Sequence, residues 1–463
     1  MHDIVIKGGT IIDGLGGPSF VGDIGVTAGR IVEIAPAINA PARETLDAVG
    51  AIVTPGFVDV HTHYDGQVCW DDKIDPSAGH GVTTVVMGNC GVGFAPAPPG
   101  GERELIEVME GVEDIPGTAL YEGIPWGAWE TFPQYLDYLS TRSFALDISA
   151  QIPHAALRNY VMGERGRANE PATPEDIARM AEIVEEAITA GAVGFSTSRT
   201  IGHRTITGVP IPGTFAADEE VLELARALGR AGRGVFELIP GGTVGDLAIL
   251  GGEHTTVQEE VELMDKVSRI SGRPVTFTLV QNADHRNAWR AVLGEVEQRN
   301  AQGAKLYPQV ASRPIGLVTN IRTYHMFQQR ETYLRLAHLP FAEKLAELQK
   351  PEIRAAILSD QDVHPGLPGM SANVHHTFRS AAAYLYELKT PIEYEPTKDN
   401  SFGERAKAEG KTDAEFMYDF LVGNNGNNFA ILLGSNFELM TGGNSSLRLP
   451  NGGSDDVSAI AWV

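Results

Sequence analysis

Short apolar runs separated by glycine-bearing turns fill the start of the chain. The runs at residues 4–6, 10–12, 23–26 and 30–34 have the length and β-branched content of strands. Apolar residues at helical spacing are absent from this segment. The pattern therefore predicts a small N-terminal β-rich domain of β-sandwich type over residues 1–55.

Beyond residue 51 the pattern changes to apolar strand-like runs that alternate with longer helical segments. The helical segments include residues 174–190, with Thr173 as the predicted N-cap, and residues 218–230. Repeated strand–helix units predict a parallel sheet with helices outside it. Seven such units favour a TIM-like (β/α)8 barrel, and an open doubly wound sheet stays the alternative. The strand-like runs cover residues 52–60, 81–87, 145–152, 192–195, 234–238, 274–280 and 304–310.

The pattern is less regular after the seventh strand-like run. Residues 315–425 mix loops with helical segments, of which 341–352 is one, and the tail is polar and glycine-rich. We therefore expect three segments, which are the β-rich domain at 1–55, the barrel at 56–438 and an atypical tail at 439–463.

The composition is that of a globular protein, with 463 residues of which 43% are hydrophobic. The net charge of −24 repels polyphosphates, so nucleic acid is not an expected partner. No apolar stretch approaches the ~20 residues of a membrane-spanning helix, and the N-terminus lacks the pattern of a signal peptide. We therefore expect a cytoplasmic protein without membrane association. The two cysteines, Cys69 and Cys90, are too few for a disulfide framework.

The first candidate for chemistry is the sequence His61-Thr62-His63 at the end of a strand-like run. Side chains alternate along a strand, so Asp59, His61 and His63 share one face. Two imidazoles spaced in this way can reach one metal ion, and active sites of barrels lie at the carboxyl ends of the strands. Two hydrogen-bonded histidines at the start of a loop remain the structural alternative.

The second candidate is Cys90, which follows the next strand-like run at the same end of the expected barrel. A thiolate is a good zinc ligand, and the neighbouring glycines Gly88 and Gly91 allow a close approach of the backbone. A buried, inert cysteine is the alternative interpretation. Cys69 lies in a polar segment and is assigned no role.

Several motifs together resemble the amidohydrolase superfamily, in its N-acyl-D-amino-acid deacylase (D-aminoacylase) branch. The resemblance runs over residues 1–438 and rests on the motifs at 54–59, 61–65, 88–96 and 194–199. It implies hydrolysis of a carbon–nitrogen bond other than an ordinary peptide bond, in a small N-acyl amino acid or a related amide. It also implies one or two zinc ions that activate water and polarise the carbonyl group. By motif, the metal ligands are His61, His63 and Cys90.

The chain departs from the pattern of this branch at three strands. The branch places histidines at the ends of the fifth and sixth strands, where this sequence offers Glu237, and Gln281 or Asp284. The branch also has an aspartate at the eighth strand, as ligand and proton carrier, and Gly453-Ser454-Asp455-Asp456 lacks the apolar strand that should precede it. We therefore expect a C-terminally shortened chain whose barrel is incomplete at its last strand, and whose N-terminal sheet exposes an edge.

Two polar residues after the fourth strand-like run are candidates for substrate binding. Arg199 offers the bidentate geometry that suits a substrate carboxylate, and His203 lies in the same loop. His154 follows the third strand-like run. For all three residues a structural role stays equally open.

Two other functions remain open. A cyclic-amide hydrolase of the hydantoinase or dihydroorotase type needs a carboxylated lysine on the fourth strand, and residues 191–197 contain no lysine. A catalytically inactive, truncated homologue is the second alternative, and the missing aspartate and histidines favour it. The oligomeric state is not predicted.

Overall fold

Four β-sheets organise the part of the chain that the computed structural model describes. The described residues are 1–242, 252–281, 288–311, 315–363, 378, 382–391, 393, 396–435, 438–439 and 447–448.

The N-terminal sheet has five strands and contains the predicted β-rich segment. The strands are β1 (His2–Ile11), β2 (Phe20–Thr27), β3 (Arg30–Ala35), β4 (Ala42–Asp47) and β5 (Ile52–Val53). β1 pairs antiparallel with β2 and parallel with β4 and β5, which leaves β3 as an edge. Ile31, Val32 and Ile34 on β3 are exposed, so apolar side chains lie at this edge of the sheet.

The central sheet consists of seven parallel strands in the order β12-β11-β10-β9-β8-β7-β6. Each strand is thus paired with its predecessor in the chain, as a barrel wound from repeated β-α units requires. The sheet curls, because His61, next to the first strand, and Gln309, in the seventh, are in contact (2.7 Å). The strands are β6 (Phe57–Asp59), β7 (Val82–Met87), β8 (Asp147–Pro153), β9 (Gly194–Ser198), β10 (Val235–Ile239), β11 (Val275–Thr278) and β12 (Leu306–Gln309).

Helices connect these strands and cover the outside of the sheet. Threonine caps begin three of them, and Thr173 accepts a hydrogen bond from the backbone of Asp176 as predicted. The largest apolar core of the described residues lies between these helices and the sheet. The helices are α1 (Glu102–Glu113), α2 (Gly117–Gly123), α3 (Phe132–Ser140), α4 (His154–Met162), α5 (Glu164–Arg167), α6 (Pro174–Ala190), α7 (Asp218–Ala231), α8 (Val257–Ser271) and α9 (Ala288–Ala301).

Residues 315–435, which we expected within the barrel range 56–438, have an apolar core of their own in the described part of the chain. An antiparallel sheet of β13 (Ile315–Thr319), β15 (Ala430–Ser435) and β14 (Leu385–Glu387) accompanies five helices among the described residues. The helices are α10 (Glu331–Leu336), α11 (Phe341–Leu348), α12 (Pro351–Ser359), α13 (Phe402–Ala408) and α14 (Asp413–Gly426).

The helix expected at 341–352 is two helices, because Pro351 lacks an amide hydrogen and begins α12. Of the expected tail at 439–463, the described residues are Leu439 and Leu447–Arg448, which belong to a two-stranded ladder. No helix in the described part of the chain has the length and hydropathy needed to cross a membrane.

Candidate metal centre

Three potential metal ligands converge at the carboxyl ends of β6 and β7. The ligand atoms of His61, His63 and Cys90 all lie within 4.8 Å of one another. Cys90 Sγ lies 3.1 Å from His61 Nε2 and 3.5 Å from His63 Nε2. The structure thus brings together the three residues that the sequence indicated, at the end of the sheet where barrels carry their active sites.

A sharp turn after β7 presents the Cys90 thiol to the two histidines. Gly88, Cys90 and Gly91 have φ values of +77°, +57° and +71°, a left-handed conformation that non-glycine residues rarely adopt. A Cβ atom on Gly88 would lie 2.2 Å from the carbonyl oxygen of Gln151, and one on Gly91 would lie 3.1 Å from Cα of Thr197. The glycines on either side of Cys90 are therefore required by the close approach of the neighbouring strands.

The His61 imidazole is oriented by Gln309. Its Nδ1 lies 2.7 Å from Gln309 Oε1, and an amide oxygen can only accept a hydrogen bond. Nδ1 therefore carries the proton, and the lone pair on Nε2 faces Cys90. A hydrogen bond of this kind on the far ring nitrogen is the usual way in which a metal-binding histidine is held.

Glu113, the last residue of α1, adds a carboxylate beside the histidine pair. Its Oε1 lies 3.3 Å from His63 Nε2, and its side chain is 22% exposed. The sequence offered no signal for this residue, because Glu113 is one of several acidic residues on a helix that the pattern did not predict.

Burial governs the protonation of the cluster. Desolvation lowers the pKa of His61 and of His63 to about 4, so both imidazoles are neutral near pH 7 and their lone pairs are available to a metal. Desolvation also raises the pKa of Cys90 and Glu113, and that of Asp65 to about 7. Acidic groups collected in one enclosed place favour a bound cation, whose charge would offset theirs.

The residues present fit a zinc-type metal. Two imidazole nitrogens and a thiolate belong to the ligand types that zinc prefers. Within the described part of the chain, three buried polar atoms on or near these ligand residues have no hydrogen-bond partner, namely His63 Nδ1, Asp65 Oδ2 and Glu237 Oε1. Such orphaned atoms are costly in a closed protein interior, and a bound ion with its ligands would engage or compensate them.

Of the two predicted substrate-binding residues, His203 lies close to the cluster. Burial lowers its pKa to about 4, and the charges of Glu113, His63 and His61 act on it. Its Nδ1 is 2.9 Å from Ser198 Oγ, which holds the ring at the carboxyl end of β9.

The structure does not bring Arg199 into the cluster. Its Nε donates to Glu260 Oε1 (2.8 Å), and its Nη1 donates to the carbonyl of Ala216 (2.9 Å). The side chains of Arg199 and Glu260 are 8% and 1% exposed, so the pair is a buried salt bridge.

The remaining candidates from the sequence are His154, Asp284 and the segment 453–456. His154 is buried and contacts Thr197 Oγ1 at 2.8 Å and Glu220 Oε1 at 2.9 Å, so its ring nitrogens are engaged by groups other than the three candidate ligands. Asp284 and the segment 453–456 lie outside the described residues.

Comparison with known sequences identifies the protein family to which this chain belongs. The sequence pattern of the amidohydrolase family matches residues 44–423. The chain belongs to the amidohydrolase family. The resemblance that the motifs indicated is therefore confirmed.

Two similar amidohydrolases with assigned activities come from Alcaligenes xylosoxydans xylosoxydans. A D-aminoacylase is 34% identical over 230 residues, which cover 50% of this chain and 43% of the relative. An N-acyl-D-aspartate deacylase is 35% identical over 232 residues, covering 50% of this chain and 42% of the relative. The matched part of the chain thus spans less than half the length of these relatives.

A solved amidohydrolase structure shows the same fold. The N-acyl-D-glutamate deacylase from Bordetella bronchiseptica, complexed with zinc and a phosphonate inhibitor, superimposes with a TM-score of 0.54 and 21% identity. The superposition covers 94% of this chain and 72% of that enzyme. The predicted TIM-like amidohydrolase barrel is thereby confirmed.

Proposed function

We propose that this protein is a metal-dependent hydrolase that cleaves the amide bond of N-acyl-D-amino acids. The observation that carries the proposal is the convergence of His61, His63 and Cys90 at the carboxyl ends of β6 and β7. The deacylase activities named for the two Alcaligenes relatives support the substrate class. One or two zinc ions are the proposed cofactor.

His61 and His63 would hold the metal through Nε2, and Cys90 through Sγ. When bound, such an ion polarises the amide carbonyl and lowers the pKa of water. Glu113 is the proposed proton carrier, because its carboxylate contacts His63 and is partly open to solvent. Glu113 Oε1 would accept the proton of the attacking water and return it to the leaving nitrogen. Glu113 would thus take the role of the aspartate that the D-aminoacylase branch carries on its eighth strand.

The loop after β9 is the proposed substrate-binding element. His203 is buried and is near enough to Glu113 and the histidine pair for their charges to act on it, and its proposed role is to contact the acyl or carboxylate group of the substrate. Arg199 would affect substrate binding indirectly, because its ion pair with Glu260 anchors the start of this loop. A small-molecule substrate and a cytoplasmic location complete the proposal, and the net charge of −24 disfavours a nucleic-acid partner.

The proposal is tested by assaying the full chain, loaded with zinc, for hydrolysis of a panel of N-acetyl-D- and N-acetyl-L-amino acids. We expect the wild-type protein to release free amine from the D series. In Cys90→Ala this rate should fall by at least about 100-fold, and the bound zinc should be lost. Cys69→Ala is the matched control, since Cys69 is also buried but lies outside the metal cluster. Ring opening of hydantoins or dihydroorotate alone would favour a cyclic-amide hydrolase. Zinc binding without any hydrolysis would contradict an enzyme of either kind.

A further inference from the structure

A glutamate on the fifth strand of the barrel reaches the turn that carries the thiol ligand. Glu237 is on β10 and is 0% exposed. The backbone N–H of Cys90 donates a hydrogen bond to Glu237 Oε2 at 3.1 Å. This contact crosses the barrel interior, because β8 and β9 lie between β7 and β10 in the sheet.

The neighbouring strands hold the same turn, residues 88–91, by uncharged groups. Ser196 on β9, the register partner of Glu237, accepts a hydrogen bond from Gly91 N–H at 3.0 Å and donates one to the carbonyl of Gly88. Gln151 on β8 donates to Asn89 Oδ1 at 2.7 Å. The turn is therefore fixed from three successive strands, and Glu237 is the member that binds the ligand residue itself.

The geometry argues against direct metal binding by Glu237. Its Oε1 approaches His61 at Nδ1, at 4.0 Å, whereas Nε2 on the other side of that ring faces Cys90. Its other oxygen already accepts the Cys90 N–H. Full enclosure also separates this carboxylate from any substrate. Glu237 is thus placed to act on the metal centre through Cys90.

We propose that Glu237 is a positioning residue, whose hydrogen bond holds Cys90 in its left-handed conformation and so aims the thiol at the two histidines. A cysteine with φ +57° is strained and keeps this conformation only if its surroundings enforce it. Loss of the acceptor would let the turn relax and move Sγ away from the histidines. The inference rests on the metal centre of the proposed function, and does not depend on the deacylase activity.

Two variants separate the reach of the Glu237 acceptor from its carboxyl chemistry. Glu237→Gln keeps the reach and an acceptor oxygen but removes the carboxyl group, whereas Glu237→Asp keeps the carboxyl group but shortens the side chain by one methylene. We expect Glu237→Gln to bind Co²⁺ within about 3-fold of the wild-type affinity, and Glu237→Asp to bind it about 10- to 100-fold more weakly, the usual range for such supporting residues. In Glu237→Asp the thiolate-to-cobalt absorption band should also be weaker per bound ion.

Thr276→Val serves as the matched control, because Thr276 is the register partner of Glu237 on the opposite neighbour, β11. Thermal unfolding of each metal-free variant establishes that it is folded before titration. Equal cobalt affinity and absorption in both glutamate variants would overturn the proposal. A large loss of cobalt affinity in Glu237→Gln with no loss in Glu237→Asp would also overturn it, because that result would indicate that Glu237 acts as a ligand or through its charge. A wild-type protein that binds cobalt but hydrolyses no amide would contradict the proposed function and leave this inference intact.

Discussion

The contact between His61 and Gln309 joins the two edges of the parallel sheet. His61 follows β6 and Gln309 ends β12, the first and seventh strands of the sheet, yet His61 Nδ1 and Gln309 Oε1 are 2.7 Å apart. The two edge strands are not paired with each other in the described residues, so this side-chain contact spans the opening between them. This hydrogen bond therefore links the two edges of the barrel sheet and also orients His61, a proposed metal ligand.

Gln309→Leu should weaken metal binding without unfolding the protein. The substitution removes the acceptor that keeps the proton on His61 Nδ1, so the ring loses both its orientation and its preferred tautomer. We expect zinc affinity, measured by competition with a chelating dye, to fall by about 10- to 100-fold. Gln309→Glu keeps an acceptor oxygen and should retain most of the affinity. Unchanged zinc affinity in Gln309→Leu would show that His61 needs no partner.

Gly88→Ala should disrupt the turn that carries Cys90. An added Cβ would lie 2.2 Å from the backbone oxygen of Gln151, and that oxygen belongs to a paired strand that cannot give way. We expect a loss of several kcal/mol of unfolding free energy in urea, together with loss of bound zinc. Gly100→Ala is the control, because Gly100 has nearly the same φ (+76°) but nothing within 4 Å of its Cβ position. Equal effects of the two substitutions would assign the loss to backbone strain instead of the clash.

The alternating pattern of side chains and the position of active sites in barrels were enough to select His61, His63 and Cys90. Both rules act on residues next to a strand, where sequence spacing translates directly into spatial position. Glu113, and the positioning role proposed for Glu237, could not be assigned in this way. Glu113 reaches the site from α1, and the role of Glu237 depends on a contact across the barrel with the backbone of Cys90. Such long-range contacts leave no local periodicity in the sequence.

The same distinction applies to the fold. The repeated β-α units predicted the parallel sheet because each strand pairs with its predecessor in the chain. Residues 315–435 have no such repeat, since β15 pairs with both β13 and β14 from distant parts of the sequence. The separate core of this region arises from non-local packing, which the pattern of apolar residues does not show.

Glu220→Gln should destabilise the protein at neutral pH. Glu220 is buried, accepts hydrogen bonds from Arg158 Nη1, and lies 2.9 Å from His154 Nε2. Removal of its charge leaves the buried guanidinium of Arg158 without a counterion, at a cost of about 3–5 kcal/mol. Urea unfolding at pH 7 measures this loss, and Glu219→Gln, at an exposed position on the same helix, is the control. A loss below about 1 kcal/mol would contradict a structural role for the network.

Glu220 should also make the wild-type protein sensitive to acid. Burial alone would raise its pKa, but the hydrogen bonds and charges of His154 and Arg158 outweigh this effect and lower the pKa from 4.5 to about 2. Its folded pKa is below its unfolded pKa, so its stabilisation is complete above about pH 4.5 and is lost as the pH falls towards 2. The loss amounts to roughly 3 kcal/mol. The urea midpoint of the wild type should therefore fall more steeply over this interval than that of Glu220→Gln, and parallel curves would contradict the assignment.

Arg199→Met should reduce stability more than it affects substrate binding. The substitution leaves Glu260, with a side chain that is 1% exposed, as a buried carboxylate without its cation, at a cost of about 3–5 kcal/mol. In the double variant Arg199→Met/Glu260→Leu an apolar pair replaces the ion pair, and most of the stability should return. Urea unfolding of the wild type, both single variants and the double variant measures the coupling between the two residues. If Arg199→Met instead kept full stability and raised KM for acidic N-acyl amino acids, Arg199 would be a direct ligand of the substrate carboxylate.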